Sequence, residues 1–112
     1  MAGPKKINLG VFASGELPFP VVHLFKRNGL AVNLTGYTTF VLIEGPDTEV
    51  NYGQGVATIT DAAAGEVTYE WVEGDMVDIG KYKALIWVDG PFRHASDLII
   101  YEVYDGPGPT PT

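Results

Sequence analysis

Apolar and polar residues alternate along most of this 112-residue chain, and that alternation restricts its fold more than any other feature. In "EVTYEW", Val67, Tyr69 and Trp71 fall on one side and Thr68 and Glu70 on the other. A segment with one apolar and one wet face is the pattern of an antiparallel strand lying on a core. "KYKALIWVDG" repeats it. There Tyr82, Ala84, Ile86 and Val88 share one face, while Leu85 and Trp87 make the opposite face apolar too, so that side is expected to be covered as well.

The remaining segments follow the same rule. "KINLGVFA" reads as a first strand. "FPVVHLFKRNGLAVNLT" reads as a strand, a turn at Arg27-Asn28-Gly29 and a short strand, because Asn-Gly tolerates the positive φ angles of a tight hairpin. "GYTTFVLIEG" is stopped by Gly45-Pro46-Asp47, and "QGVATIT" and "RHASDLIIYEVY" supply further strands. Helical periodicity is nearly absent. In "DAAAG", Asp61 can cap a single turn and Gly65 can end it. About seven or eight short strands with turn signals at regular spacing indicate an all-β sandwich or barrel.

The last eight residues, "DGPGPTPT", differ in kind. Pro107, Pro109 and Pro111 cannot sit in a central strand or a helix. The expected organisation is a single β domain over residues 1–104 and a Pro/Gly-rich extension over 105–112. No internal repeat is visible.

Fourteen acidic residues against seven basic ones give a formal charge of −7. That balance disfavours nucleic acid and anionic membrane as partners, and the pairs Lys5-Lys6 and Lys26-Arg27 are too isolated to make a basic stripe. The chain has no cysteine, which excludes a disulfide framework, a thiolate metal site and a thiol nucleophile. Its apolar runs are too short to span a bilayer as a helix, so no membrane insertion is expected. The N-terminus carries two lysines with no apolar region behind them, and it is expected not to act as a secretory signal.

Candidate chemistry is sparse. His23 and His94 are the only histidines and lack metal-ligand spacing. Ser14 and Ser96 are the only serines, and neither lies in a nucleophile elbow; Ser96 and His94 fall on alternate strand positions without a third member. Asp61, Glu66, Glu70, Glu73, Asp75 and Asp78 form an acidic run that reads as a solvated edge guarding against strand pairing, in preference to a calcium loop. Tyr37, Tyr52, Tyr101, Tyr104, Trp87 and Phe92 are the aromatics expected to be partly exposed. Phe92, on a Gly-Pro-Phe turn, is a candidate partner anchor. No cofactor is expected.

One short motif has a structural meaning. In "DIGKY", Asp78, Gly80 and Tyr82 have the form of the tyrosine corner of immunoglobulin-like sandwiches, where the Tyr hydroxyl bonds back to upstream backbone and the Gly lets the chain turn. The expected fold is therefore an immunoglobulin-like antiparallel β-sandwich.

Longer stretches extend the comparison. "NLTGYTTFVLIEGPD" and "ATITDAAAGEVTYEWVEGDMVDIGKYKALIWV" resemble an immunoglobulin-like domain of tailed-bacteriophage tail proteins, such as the N-terminal domain of the baseplate upper protein and related minor tail proteins. The matching blocks are Asn33 to Gly36, Pro46-Asp47, Asp61 to Trp71 and Asp78 to Tyr82, and the resemblance covers roughly residues 17 to 103. "DGPFRHASD" stands where that family has a longer charged hairpin. The resemblance implies a non-enzymatic virion protein, made in the host bacterial cytoplasm, that assembles in many copies with other virion proteins at the tail or baseplate. Two alternatives use the same sandwich. One is a capsid decoration protein. The other is a carbohydrate-binding module that meets host surface glycan through Trp87, Tyr101 and Phe92. In every case Trp87, Phe92, Tyr101, Pro107, Pro109 and Pro111 are the expected contact residues.

Overall fold

Alternation along the chain resolves into eleven strands in a computed structural model that describes residues 6–76 and 78–105. Seven have four or more residues: β1 (Lys6–Ala13), β2 (Val21–Leu24), β5 (Thr38–Glu44), β7 (Val56–Asp61), β8 (Glu66–Glu70), β9 (Gly80–Asp89) and β11 (Leu98–Tyr104). The other four are short pieces: β3 (Lys26–Arg27), β4 (Leu30–Ala31), β6 (Val50–Tyr52) and β10 (Arg93–Ala95). A 3₁₀ turn, Glu73–Met76, links β8 to β9. Pro107, Pro109 and Pro111 lie outside the described residues.

Two sheets pack face to face. The larger runs β1-β11-β9-β5-β6, with β10 also paired to β9; the smaller runs β2-β8-β7. This is the immunoglobulin division, B-E-D against G-F-C with an added C′ strand. β1 lies parallel to β11, while β5, β11 and β10 all run antiparallel to β9. The fold is thus an all-β sandwich, with β9 as the central strand of its larger sheet.

Period-two patterning decides what enters the core. From β9, Tyr82, Ala84, Ile86 and Val88 are buried. Val67 and Tyr69 oppose them from β8 in the other sheet, and Ile99, Tyr101 and Val103 line the same face beside them from β11. Burying each such side chain contributes roughly 1.5–3 kcal/mol relative to leaving it in water. Trp71, at the end of β8, closes one end of this core with its ring edge-on to Tyr69 and to Tyr101.

Local chemistry fixes the turns. Asn28 and Gly29 both take positive φ, 53° and 78°, which joins β3 to β4 as a two-residue hairpin. In "DAAAG" the Asp61 carboxylate accepts from the Ala64 amide at 3.2 Å. Gly65 turns the chain at φ +72°, and a Cβ there would stand 2.5 Å from the Phe25 carbonyl oxygen. Ser96 sits between β10 and β11. Its amide donates to the Ile86 carbonyl at 2.7 Å, and its hydroxyl oxygen accepts from the Ile86 amide at 2.9 Å. The side chain thereby stands in for the carbonyl that the strand break removes.

Candidate functional site

The chain is tightly constrained at the start of β9. Tyr82 donates its hydroxyl hydrogen to the Asp78 carbonyl, closing the corner that "DIGKY" specifies. Gly80 adopts φ +136°, and a Cβ there would come within 2.5 Å of the Pro46 ring. Only glycine meets both demands. The Tyr82 ring stacks on Tyr101 with centroids 4.7 Å apart and planes 4° from parallel.

Beside this corner lies a polar hub that the acidic run concealed. Asp75 is only 5% exposed. One carboxylate oxygen accepts from the Tyr69 hydroxyl at 2.7 Å and from the Val72 amide at 3.3 Å. The other accepts from the Gln54 amide at 2.9 Å. The Tyr69 oxygen in turn accepts from the Gly55 amide at 2.9 Å, and Tyr101 donates to the Asp75 carbonyl at 3.1 Å. One residue therefore ties the β6–β7 connection, β8, the 3₁₀ turn and β11 together, linking the two sheets at one end.

The solvated-edge expectation is corrected at Asp75: its carboxylate faces inward, because three donors replace the water it gives up. Asp61, Glu70, Glu73 and Asp78 are exposed as expected, and Glu66 is half-buried, accepting from Thr60 at 2.7 Å. Among the described residues, no three histidines or acids are grouped so that they could hold a metal ion.

Electrostatics around the hub keep its phenols protonated. Burial, then the hydrogen bond to Asp75, pushes Tyr69 well above the usual tyrosine range. Burial, then the charge of Asp75, does the same to Tyr101. Tyr82 is also raised, by burial and then by nearby Asp78. Three neutral phenols held in hydrogen bonds brace this end of the fold.

The other titratable and nucleophilic candidates are engaged separately. Ser96 uses its hydroxyl on backbone, donating to the Asp97 carbonyl at 2.9 Å. His94 lies between the rings of Tyr37 and Phe92, 6.5 Å and 6.3 Å away. His23 stands edge-on to Phe25, and burial lowers its pKa against a smaller opposing effect of Asp97.

The expected contact residues separate. Phe92 is 59% exposed, with the Arg27 guanidinium 5.4 Å from its ring centre. Trp87 is half-buried and stacks on Phe40 at 6.3 Å, with its indole nitrogen buried and unpartnered. Tyr101 is corrected. It is 3% exposed, on the inward face of β11, and cannot stack on a sugar or meet a partner. Its segment, "LIIYEVY", carries a single charge, Glu102, on the face opposite Tyr101; Leu98 and Ile100 make that face largely apolar too, so alternation orients the strand only weakly. Phe19, which sequence reasoning passed over, is 92% exposed.

Neither a family model nor a curated protein matches this chain. Among solved structures, however, the two-sheet arrangement has a counterpart. The fold is similar to that of the N-terminal domain of phage TP901-1 ORF48. The TM-score is 0.55 at 16% sequence identity, over 92% of this chain and 86% of the ORF48 domain chain. At that identity, the similarity to the ORF48 domain establishes a shared sandwich and leaves the role to be argued from surfaces.

Those surfaces are uneven. The outward positions of β9 read Lys81, Lys83, Leu85, Trp87 and Asp89. Leu85 and Trp87 are only half-buried, so the cover expected over this side of the sheet is incomplete. Two open grooves cross it. One, of about 440 Å³, runs past Lys6, Lys81 and Ile100; the other, of about 220 Å³, passes Leu42, Leu85 and Leu98.

Proposed function

We propose that this chain is a non-enzymatic structural protein of a tailed-bacteriophage virion, a minor tail or baseplate component that assembles through protein–protein contacts. The observation that carries this reading is a sandwich shared over 92% of the chain with a domain of a phage protein. Two further features support it. The buried polar groups at the Tyr82 corner are engaged in holding the two sheets together. The exposed apolar side chains, Phe92, Tyr52 and Phe19 among them, lie on turns, edges and loops, where a neighbour can cover them.

Antibody labelling of intact particles tests the reading. Label confined to the tail end supports it. Label spread over the capsid supports the decoration alternative instead. Unlabelled particles, with the protein free in the lysate, contradict a virion role altogether.

A further inference from the structure

A sheet face turned to water is ordinarily polar, but the outer face of the larger sheet is apolar through its middle. Phe40, Leu42, Leu85, Trp87, Leu98 and Ile100 all project there, and all are half-buried. An apolar patch of this continuity marks a contact surface. Five strands about 4.8 Å apart and roughly four outward residues long give a face of roughly 20 by 25 Å. That is toward the small end for a specific protein contact.

The central strand indicates what covers it. Along the outward side of β9, charge is positive at Lys81 and Lys83, absent at Leu85 and Trp87, and negative at Asp89. The series is complementary to itself when reversed about Leu85. If a second copy lies face to face with its β9 antiparallel, Lys81 meets Asp89, Lys83 meets the Trp87 ring, and Leu85 meets Leu85. Sheets packing about 10 Å apart bring such side chains together. Among the described residues the one ion pair is Arg93–Asp89 at 3.3 Å, which holds Asp89 in place; Lys81 and Lys83 form none, with Glu102 and Glu44 opposite them on the neighbouring strands.

We propose that the chain forms a two-fold dimer through this face, with the axis at Leu85. A sugar fits the face poorly. Its hydroxyls would meet leucines and rings, and the buried indole nitrogen of Trp87 cannot donate to them. The dimer supplies a partner for the assembly role proposed above and rests on that reading for its setting. The two fail separately, because self-association of purified protein and entry into particles are different measurements.

Sedimentation velocity of the purified full chain, from micromolar to millimolar concentration, is the test. The expected result is a mass rising from 12.1 kDa toward twice that value. L85D stays monomeric over the same range. K81D and D89K each weaken the dimer by about tenfold or more, because the two-fold axis repeats the Lys81–Asp89 contact and each variant turns both copies of it into like-charge contacts. An equimolar mixture of K81D and D89K recovers it, because each variant supplies the charge the other lacks. All three positions face outward, and matching far-ultraviolet circular dichroism confirms that the variants are folded. A wild-type chain that stays monomeric throughout overturns the proposal. So does dimerisation unaffected by L85D, or a mixture no tighter than its components. Binding of host wall polysaccharide that quenches tryptophan fluorescence in a monomeric chain overturns it in favour of a sugar site.

Discussion

The phenol of Tyr69 donates its hydrogen to a carboxylate oxygen of Asp75 at 2.7 Å, inside the fold and across the bend from β8 into the 3₁₀ turn. The same carboxylate accepts amides of Gln54 and Val72. Removing it would strand one buried donor and two partly buried ones at once.

Asp75→Ala is therefore expected to cost about 2–4 kcal/mol, because buried donors without acceptors carry their full desolvation penalty. Urea denaturation measures it. Asp75→Asn, which keeps one acceptor oxygen, should cost less. A loss under about 1 kcal/mol for Asp75→Ala would mean that the hub is dispensable.

Substitutions at the corner should separate a hydrogen bond from a backbone requirement. Tyr82→Phe keeps the stack on Tyr101 and loses the bond to Asp78, at a cost of about 1 kcal/mol. Gly80→Ala must place a Cβ against Pro46 at a φ that side chains avoid, and about 2 kcal/mol or more is expected. Thermal midpoints of the two variants check the order.

Tyr101 and Phe92 should part sharply. Tyr101→Ala opens a cavity beside Tyr82 and Trp71, and about 3–5 kcal/mol is expected. Phe92→Ala should change stability by less than about 0.5 kcal/mol, since the ring is exposed. A particle-incorporation defect in Phe92→Ala with stability unchanged would identify the turn as a contact.

Alkaline titration follows from the raised phenols. Tyr69, Tyr82 and Tyr101 have folded-state pKa values above the unfolded value, which is near 10. Their contribution to stability is fully present below about pH 10 and is lost as pH rises through the folded-state values, because the unfolded chain gives up these protons first. Melting temperature should thus fall above that pH. Three of the six tyrosines should ionise, by near-ultraviolet absorbance, only as the fold is lost. Full phenolate absorbance while native circular dichroism persists would contradict the buried hub.

The C-terminal extension can be tested by removal. Deletion of residues 105–112 should leave the thermal midpoint unchanged, because the buried core residues among those described end at Val103. Incorporation into particles should fall, since a proline-rich sequence has little conformational entropy to lose when it docks. Unchanged incorporation would rule out a docking role.

What was legible in the sequence was local. Asn28-Gly29 announces its hairpin because two adjacent residues carry the whole signal. Asp78, Gly80 and Tyr82 announce the corner because donor, acceptor and glycine fall within five residues. Asp75 was not legible. Its partners Tyr69 and Gln54 are 6 and 21 positions away, and a lone acid in an acidic run looks like surface. Tyr101 was misread because the outer face of β11 has only Glu102 to mark it, beside the apolar Leu98 and Ile100. The alternation at Leu85 and Trp87 gave both faces of β9 as apolar but could not say whether the outer one is covered within the chain or by a neighbour.

The central claim is that this sandwich is a building block whose work is done by its surface. Quantitative mass spectrometry of gradient-purified virus particles, released by cells in which this sequence is expressed, tests that most directly. The account predicts the chain in every preparation, in several copies per particle and in constant ratio to the tail proteins. Its absence from purified particles, while it accumulates in the infected cell, would contradict the account.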